Sequence, residues 1–393
     1  MALSRNSAQA LHQRNLATPK WGNDINPDLL QNMAKMNNIQ PDRFYDTDIP
    51  YALCKGTNYQ IGLQHGTVAK NRIHQIIHAY DKLYQETANI DWNQAKTRAL
   101  KYKIYLLEVW PEIVDEMQGI ADGSGLELID IVTLNVRSEI CLTNYSDGCT
   151  SLTQLNSSTK DLYICQNWDW IEGVKSCLVY LDIQQENKPR VLTLAEAGIV
   201  CKMGMNSAGV GLMLNAIKCG VTKMGLPTHL AVRKCLECTS VEGAIEQLEK
   251  FGVASTSNIM LADKSGTFVT VEASPKGLCV ISPDALLTVI HTNHLYGTPR
   301  FVKDFPAENS FWRFKRCQEL VENAPVTPES IRSTLSDTLG TPYSICREPN
   351  SEAKGIEAMV TLTTTIINIR ALEGEVSIGN PSKSPKRYRI YFN

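Results

Sequence analysis

The residues with the most chemistry in them are Asp147-Gly148-Cys149-Thr150-Ser151 and, a short way on, Gln166-Asn167-Trp168-Asp169-Trp170. A thiol becomes an acyl-transfer nucleophile when a base takes its proton and a donor holds the oxyanion that forms. Cleavage of the Gly148–Cys149 peptide bond would supply the base. Cys149 would then carry its own α-amine, with an unperturbed pKa of about 7.7–8.0. Such an amine sits within its own residue and close to operating pH, so no second residue has to be recruited. The cut would come from attack of the Cys149 thiol on the Gly148 carbonyl. Glycine tolerates the distorted backbone this requires, and the Thr150 hydroxyl could assist. Spacing alone fits equally a cysteine that only packs, since free cysteines are among the most buried residue types.

The elements that must position these residues change character at the same bond. Residues 1–47 are polar, rich in Asn and Gln, and read as an N-terminal arm. Apolar spacing of three and four then predicts helices over Tyr59–Thr87 and Trp92–Trp110, a third opened by Pro111, and another over Glu127–Leu142. From Cys149 onward short β-rich runs take over: 149–155, 162–170, 177–183, 190–196, 200–205 and 210–217. Helical spacing returns over 228–251 and 309–336, with strands at 257–261, 267–272, 277–281, 286–291, 360–369 and 375–378. This order is not the strict alternation of a doubly wound sheet. It predicts an α+β chain in which helices cover the outer faces of two antiparallel sheets. The division expected is an arm (1–47), a helical pro-region (48–148) and a strand-rich catalytic part (149–393).

A net charge of -2 gives no basic surface for nucleic acid, and no apolar run is long enough to span a bilayer. The twelve cysteines are scattered rather than framed. With no signal peptide in view, reduced thiols and a cytoplasmic location are expected, with the Arg5, Arg14 and Lys20 arm weakly like a transit segment. Cys235-x-x-Cys238 lacks a second pair at zinc spacing and reads as helix core. His74 and His78 lie one helical turn apart without a third ligand and read as a solvated face. No metal and no cofactor are expected.

Five stretches follow the opening one in order, Gln166-Asn167-Trp168-Asp169, Glu196-Ala197-Gly198-Ile199, Asn206-Ser207-Ala208-Gly209-Val210, His291-Thr292-Asn293-His294 and Ser344-Ile345-Cys346-Arg347, and upstream stand Leu134-Asn135-Val136-Arg137-Ser138-Glu139, Ile61-Gly62 and His65-Gly66. Together with the Gly148–Cys149 step they resemble the isopenicillin-N acyltransferase family, a branch of the N-terminal-nucleophile hydrolases, over roughly residues 51–380. The resemblance implies a four-layer αββα sandwich and self-cleavage into α and β fragments. It implies Cys149 as nucleophile, Asp169 as partner of the Cys149 amine, Asn293 as oxyanion donor and Arg347 beside the nucleophile. Ser344 matches a serine of the family site, Asn167 and Trp168 would back the pocket, and His291 and His294 would frame it. The activity implied is transfer of an acyl group, with acyl-CoA as co-substrate, to an amine in secondary metabolism. The alternative is an amidase acting on a small N-acyl or N-aminoacyl amine such as β-alanyl-dopamine. The chain departs from the family's penicillin-forming member in lacking a peroxisomal C-terminal signal and in its long arm, which separates it from that pathway but not from that chemistry.

Overall fold

The structure is a computed structural model that describes residues 49–141, 148–350, 352–353, 358–383 and 385–392. The N-terminal arm and Asp147 of the opening motif lie outside the described residues.

Eight strands form one sheet in the order β1 (Tyr51–Gly56), β4 (Leu178–Gln185), β5 (Val191–Glu196), β6 (Met203–Asn206), β7 (Val210–Ala216), β8 (Ser257–Asp263), β9 (Phe268–Ser274) and β10 (Gly277–Ile281). Six form the other, in the order β11 (Thr288–His291), β2 (Gly148–Leu155), β3 (Leu162–Ile171), β12 (Met359–Asn368), β13 (Glu373–Ile378) and β14 (Arg387–Tyr391). Strands β2 and β3 face β7 and β8 across the interior. Nearly every residue of β2, β3, β7, β8 and β12 is buried, as strands covered on both faces must be.

Helices close both outer faces. On the eight-stranded sheet lie α1 (Asn58–Ala88), against β1 and β4, and α6 (Thr228–Leu236) and α7 (Val241–Phe251), against β6–β10. Packed around α1 are α2 (Trp92–Val109), α3 (Pro111–Ser124), α4 (Leu128–Asn135) and α5 (Arg137–Cys141). On the six-stranded sheet lie α8 (Glu308–Glu322), against β11 and β2, and α9 (Pro328–Leu335), against β12. The layer order is αββα. No described helix is long and apolar enough to cross a membrane.

Three expectations change. The sheets are not wholly antiparallel, because β1 pairs with β4 in parallel. A parallel neighbour needs a long crossover, and here everything from the first helices to β3 lies between the two strands, so local pattern carries no sign of the pairing. The single helix expected over 228–251 is two. Asn206 Nδ2 donates to the Leu236 and Cys238 carbonyls, ending α6, and the Ser240 hydroxyl accepts from Gly243 N–H, starting α7. The 309–336 segment likewise divides, with Thr327 capping α9 and Pro328 opening it. Strand β14 has no counterpart in the sequence reading.

The Gly62 and Gly66 positions explain themselves on α1. A Cβ at Gly62 would stand 1.8 Å from the Glu116 carbonyl, and one at Gly66 2.3 Å from that of Ile120. Gly119 and Gly123 on α3 meet α1 as closely from the other side. The two helices therefore touch backbone to backbone.

Candidate active site

Strand β2 places the Gly148–Cys149 step against β3, with Gly148 opposite Asp169, Cys149 opposite Trp168 and Thr150 opposite Asn167. Alternation decides which way each side chain faces. Ser151 Oγ donates to Asn215 Oδ1 on β7, 2.9 Å away, so residue 151 points between the sheets. Thr150 Oγ1 accepts from Arg313 on the outer helix α8. Cys149, two residues before Ser151, therefore points between the sheets, and it is only 1% exposed. Its inward neighbour across the ladder is Trp168, whose ring carries the Lys202 ammonium 4.0 Å from its centroid.

Gly148 lies in a narrow place. A Cβ there would stand 2.9 Å from Asp169 Cβ, 2.9 Å from Asp169 Oδ2 and 3.1 Å from Arg347 Nη1. The carboxylate of Asp169 and the guanidinium of Arg347 thus close on the residue whose carbonyl would be attacked. Thr361 Oγ1 donates to Asp169 Oδ1 at 2.6 Å and accepts from Arg347 N–H at 2.8 Å, so one hydroxyl ties the two segments together. Thr361 sits at a bulge, where β12 shifts register between Thr361 and Thr363. The freed Leu362 carbonyl accepts from Gly379 N–H. A bulge here turns Thr361 toward Asp169 while the rest of β12 keeps its ladder. Burial lowers the Arg347 pKa from its ordinary value, against the opposing pull of Asp169.

The Cys149 N–H donates to Asn293 Oδ1 at 2.9 Å. Arg313 Nη2 donates to the same oxygen at 2.8 Å. Both partners are donors, which fixes the oxygen end of the carboxamide toward Cys149. The nitrogen end donates to the Ala216 carbonyl at 2.9 Å. The Asn293 N–H is held by Ser310 Oγ, which also meets Thr292 Oγ1 and His294 Nδ1. Burial, reinforced by the charges of His291 and Arg313, lowers the His294 pKa to about 4. His291 pairs with Glu272 at 3.1 Å. The two histidines hold the loop that carries Asn293.

The structure thus gathers Gly148, Cys149, Thr150, Trp168, Asp169, Asn293 and Arg347 into one place. Asn167 and Ser344 face elsewhere. Asn167 Nδ2 donates to the Leu335 and Ile345 carbonyls, and Ser344 Oγ donates to the Cys346 carbonyl, so both brace the loop before Arg347. Arg313, Thr361 and Ala216 are absent from the sequence reading. A signal for Arg313 exists: it stands in the buried stripe Ser310, Arg313, Cys317, Val321 of α8, where an arginine is out of place.

The remaining motifs build a seam between the segments before and after residue 148. Asn135 Nδ2 donates to the Gly198 carbonyl and Asn135 Oδ1 accepts from Val200 N–H. His65 Nε2 accepts from Gly198 N–H at 3.0 Å. Arg137 pairs with Glu196 at 2.8 Å, and Tyr80 also donates to Glu196. Burial pushes the Glu196 carboxyl up, and Arg137 and Lys202 more than offset this, leaving it below its ordinary value. Glu139 accepts from Thr228 and Ser255, and Arg233 pairs with Glu116.

Among the described residues no group of three or more His, Cys, Asp or Glu side chains could hold a metal ion. His74 meets the Ser124 carbonyl, and Cys238 donates to the Lys234 carbonyl. A surface groove of about 810 Å³ opens where β3 ends and β12 begins, between His78, Lys82 and Glu86 of α1 on one side and Ile171, Cys177 and Ala358 on the other.

Among solved structures the chain is similar to an N-acylethanolamine-hydrolyzing acid amidase ortholog of Caenorhabditis elegans, at 16% identity over 62% of this chain and 100% of that chain, with a TM-score of 0.44. It is also similar to penicillin V acylase from Agrobacterium tumefaciens, at 16% identity over 62% of this chain and 86% of that chain, with a TM-score of 0.41. Among characterised sequences it is 30% identical to the 40 kDa form of acyl-coenzyme A:6-aminopenicillanic-acid-acyltransferase of Emericella nidulans, over 87% of this chain and 96% of that one. It is 22% identical to the beta-alanyl-dopamine/carcinine hydrolase of Drosophila melanogaster, at the same coverages of 87% and 96%. The family model for acyl-coenzyme A:6-aminopenicillanic acid acyl-transferase matches residues 155–383, a stretch that begins just downstream of Cys149. With more than half its length in that match, this chain belongs to the acyl-coenzyme A:6-aminopenicillanic acid acyl-transferase family.

Proposed function

We propose that the chain cuts itself between Gly148 and Cys149 and then works as a cysteine acyltransferase. The observation that carries this is the pair of contacts on either side of that bond: Asp169 and Arg347 close on Gly148, and Asn293 Oδ1 accepts from the Cys149 nitrogen. In the first step the Cys149 sulfur attacks the Gly148 carbonyl carbon. The new S–C bond forms, the C–N bond breaks, and the nitrogen leaves as an amine that has taken up a proton. Water then splits the thioester, giving a Gly148 carboxylate and a free thiol.

In the second phase the α-amine takes the thiol proton, and the sulfur attacks the carbonyl of an acyl-CoA. The CoA sulfur leaves and picks up a proton. An amine acceptor attacks the S-acyl-Cys149, forms the amide and releases the sulfur. Asn293 remains hydrogen-bonded to the amine through Oδ1, and an N–H of its Nδ2 is the proposed oxyanion donor. The groove beside β3 and β12 is the proposed approach for the acceptor. If the donor is instead an amide, the sulfur attacks its carbonyl, the amine leaves with a proton, and water splits the same S-acyl-Cys149 to a carboxylate and the free thiol, which makes the enzyme an amidase. The fly relative, by its name a hydrolase of beta-alanyl-dopamine and carcinine, favours keeping this second reading.

Intact-mass spectrometry of the purified protein tests the first phase. The expected result is two pieces of about 148 and 245 residues, while Cys149→Ala stays one chain. A wild-type protein that stays whole overturns the proposal. Acyl-CoA with and without amines then separates the two readings: CoA release that needs an amine and yields amide supports transfer, and release indifferent to amines supports hydrolysis.

A further inference from the structure

The side chain bound to most of the site at once is Arg313, on α8. Its Nη1 donates to the Cys149 carbonyl at 2.6 Å and to Thr150 Oγ1 at 3.1 Å. Its Nη2 donates to Asn293 Oδ1 at 2.8 Å and to Asn309 Oδ1 at 3.2 Å. All four acceptors are neutral oxygens, and among the described residues no carboxylate pairs with it directly. It is 2% exposed. A guanidinium buried without an ion-pair partner is costly to keep, so a chain that keeps one in its core gains something other than stability from it.

We infer that Arg313 is the positioning residue of the site, holding Cys149 and Asn293 in register and supplying a fixed positive charge beside the nucleophile. This rests on Cys149 being the nucleophile.

Two features carry it. The first is geometric. The bond to the Cys149 carbonyl does not involve the peptide bond proposed to break, so the same clamp holds before and after cleavage. The bond to Asn293 Oδ1 sets which end of that carboxamide faces Cys149. A lysine in this place keeps the charge but cannot span both acceptors with a planar fork. The second is electrostatic. A cation next to an amine and a thiol disfavours the protonated form of both, which shifts the onset of thiol reactivity to lower pH. The charged and titratable groups facing Arg313 are Asp169 from β3, Arg347 from the loop before β12, Cys149 from β2, His294 from the loop after β11 and Cys317 from α8 itself. Burial, with the like charge of Arg347 acting in the same sense, brings the Arg313 pKa down to about 10, which still leaves it charged at neutral pH.

The test uses full-length protein and iodoacetamide, with alkylation of Cys149 read by peptide mapping, so no substrate need be known. Wild type, Arg313→Lys and Arg313→Gln are compared for rate of self-cleavage by intact mass, for thermal midpoint, and for alkylation rate between pH 5 and 9. Arg313→Gln is expected to cut itself at least about tenfold more slowly and to move the alkylation midpoint up by about one pH unit. Arg313→Lys is expected to keep the wild-type midpoint while still cutting more slowly. An Arg313→Gln protein with the wild-type midpoint overturns the inference. So does an Arg313→Lys protein that cuts at the wild-type rate, which also decides the matter if Arg313→Gln does not fold. A wild-type protein that never cuts, or whose Cys149 alkylates no faster than the other thiols, instead removes the functional reading on which the inference stands.

Discussion

Replacing Gly148 by alanine is the smallest change that should stop the proposed cut without touching a reacting atom. The added methyl would stand 2.9 Å from Asp169 Cβ and Oδ2 and 3.1 Å from Arg347 Nη1, whereas carbon contacts settle at about 3.5–4.0 Å. Asp169 is held by Thr361, and the Arg347 guanidinium is placed by Met359 Sδ at 3.6 Å and by the Tyr343 ring, so the contact with Asp169 Cβ is the one that yields least. Restoring contact means moving one of them, or β2, by roughly 0.5–1 Å. Overpacking of this kind costs about 1–3 kcal/mol. If the cost falls wholly on the cleavage transition state, the rate drops roughly 5- to 150-fold. Gly173, where an added Cβ meets nothing within 4 Å, is the control. Both variants are followed by intact mass from first expression onward. Gly148→Ala should accumulate as uncut chain while Gly173→Ala behaves as wild type. After the cut residue 148 is the free end of the first fragment and is no longer bonded to Cys149, so whatever Gly148→Ala enzyme does mature should have near wild-type activity per cut molecule. Cleavage of Gly148→Ala at the wild-type rate would refute the reasoning, because the crowding around Gly148 would then have no bearing on the step.

The seam gives two further expectations. Glu196→Gln leaves Arg137 buried with half its partner and should cost about 3–5 kcal/mol; thermal unfolding reads this, and a loss under about 1 kcal/mol would show the pair contributes nothing. The double change Arg137→Met with Glu196→Leu should cost less than the two single changes summed. His65 supplies a pH dependence. Burial, then the charge of Arg233, lowers its pKa from 6.5 to about 3. Above pH 6.5 the ring is neutral folded or unfolded and its full contribution is present. Between 6.5 and 3 the unfolded chain takes the proton first, so stability falls with pH by up to about 1.4 kcal/mol per unit. His65→Gln, measured by thermal unfolding across that range, should show a shallower slope, and an unchanged slope would move the acid sensitivity to other groups.

Most elements of this fold are legible along the chain because their apolar periods are local facts. Strands β2, β3, β7 and β9 and helices α1, α2 and α3 lie within a few residues of where the pattern puts them. What is not legible is pairing at long range. Nothing in Tyr51–Gly56 says that it lies parallel to Leu178–Gln185, and nothing in Arg387–Tyr391 distinguishes a last edge strand from a polar tail. The site shows the same division. Cys149, Asp169, Asn293 and Arg347 stand out by motif and meet in space. Arg313 stays hidden because it sits among Lys315 and Arg316, where a charged helix face is the ordinary reading. Only its position between Ser310 and Cys317 marks it as inward. Thr361 is hidden for another reason: a threonine in a β-rich run is unremarkable, and the bulge that turns it toward Asp169 is a property of two strands together.

The motifs before residue 148 and those after it are then two halves of one requirement. A chain cut as proposed would keep its site only if the pieces stay joined, and exposed ion pairs of ~0–1 kcal/mol each would not join them. Here the joins are buried: Arg137 to Glu196, Glu116 to Arg233, Glu139 to Thr228 and Ser255, Asn135 and His65 to the turn at Gly198. Strand β1 adds a backbone ladder to β4. Lys202 connects this seam to the site, reaching Glu196 at 3.5 Å while lying over Trp168, the neighbour of Cys149. A substitution in the seam should therefore be felt at Cys149 before it is felt as loss of the fold, since Glu196 reaches Trp168, the neighbour of Cys149, through a single side chain.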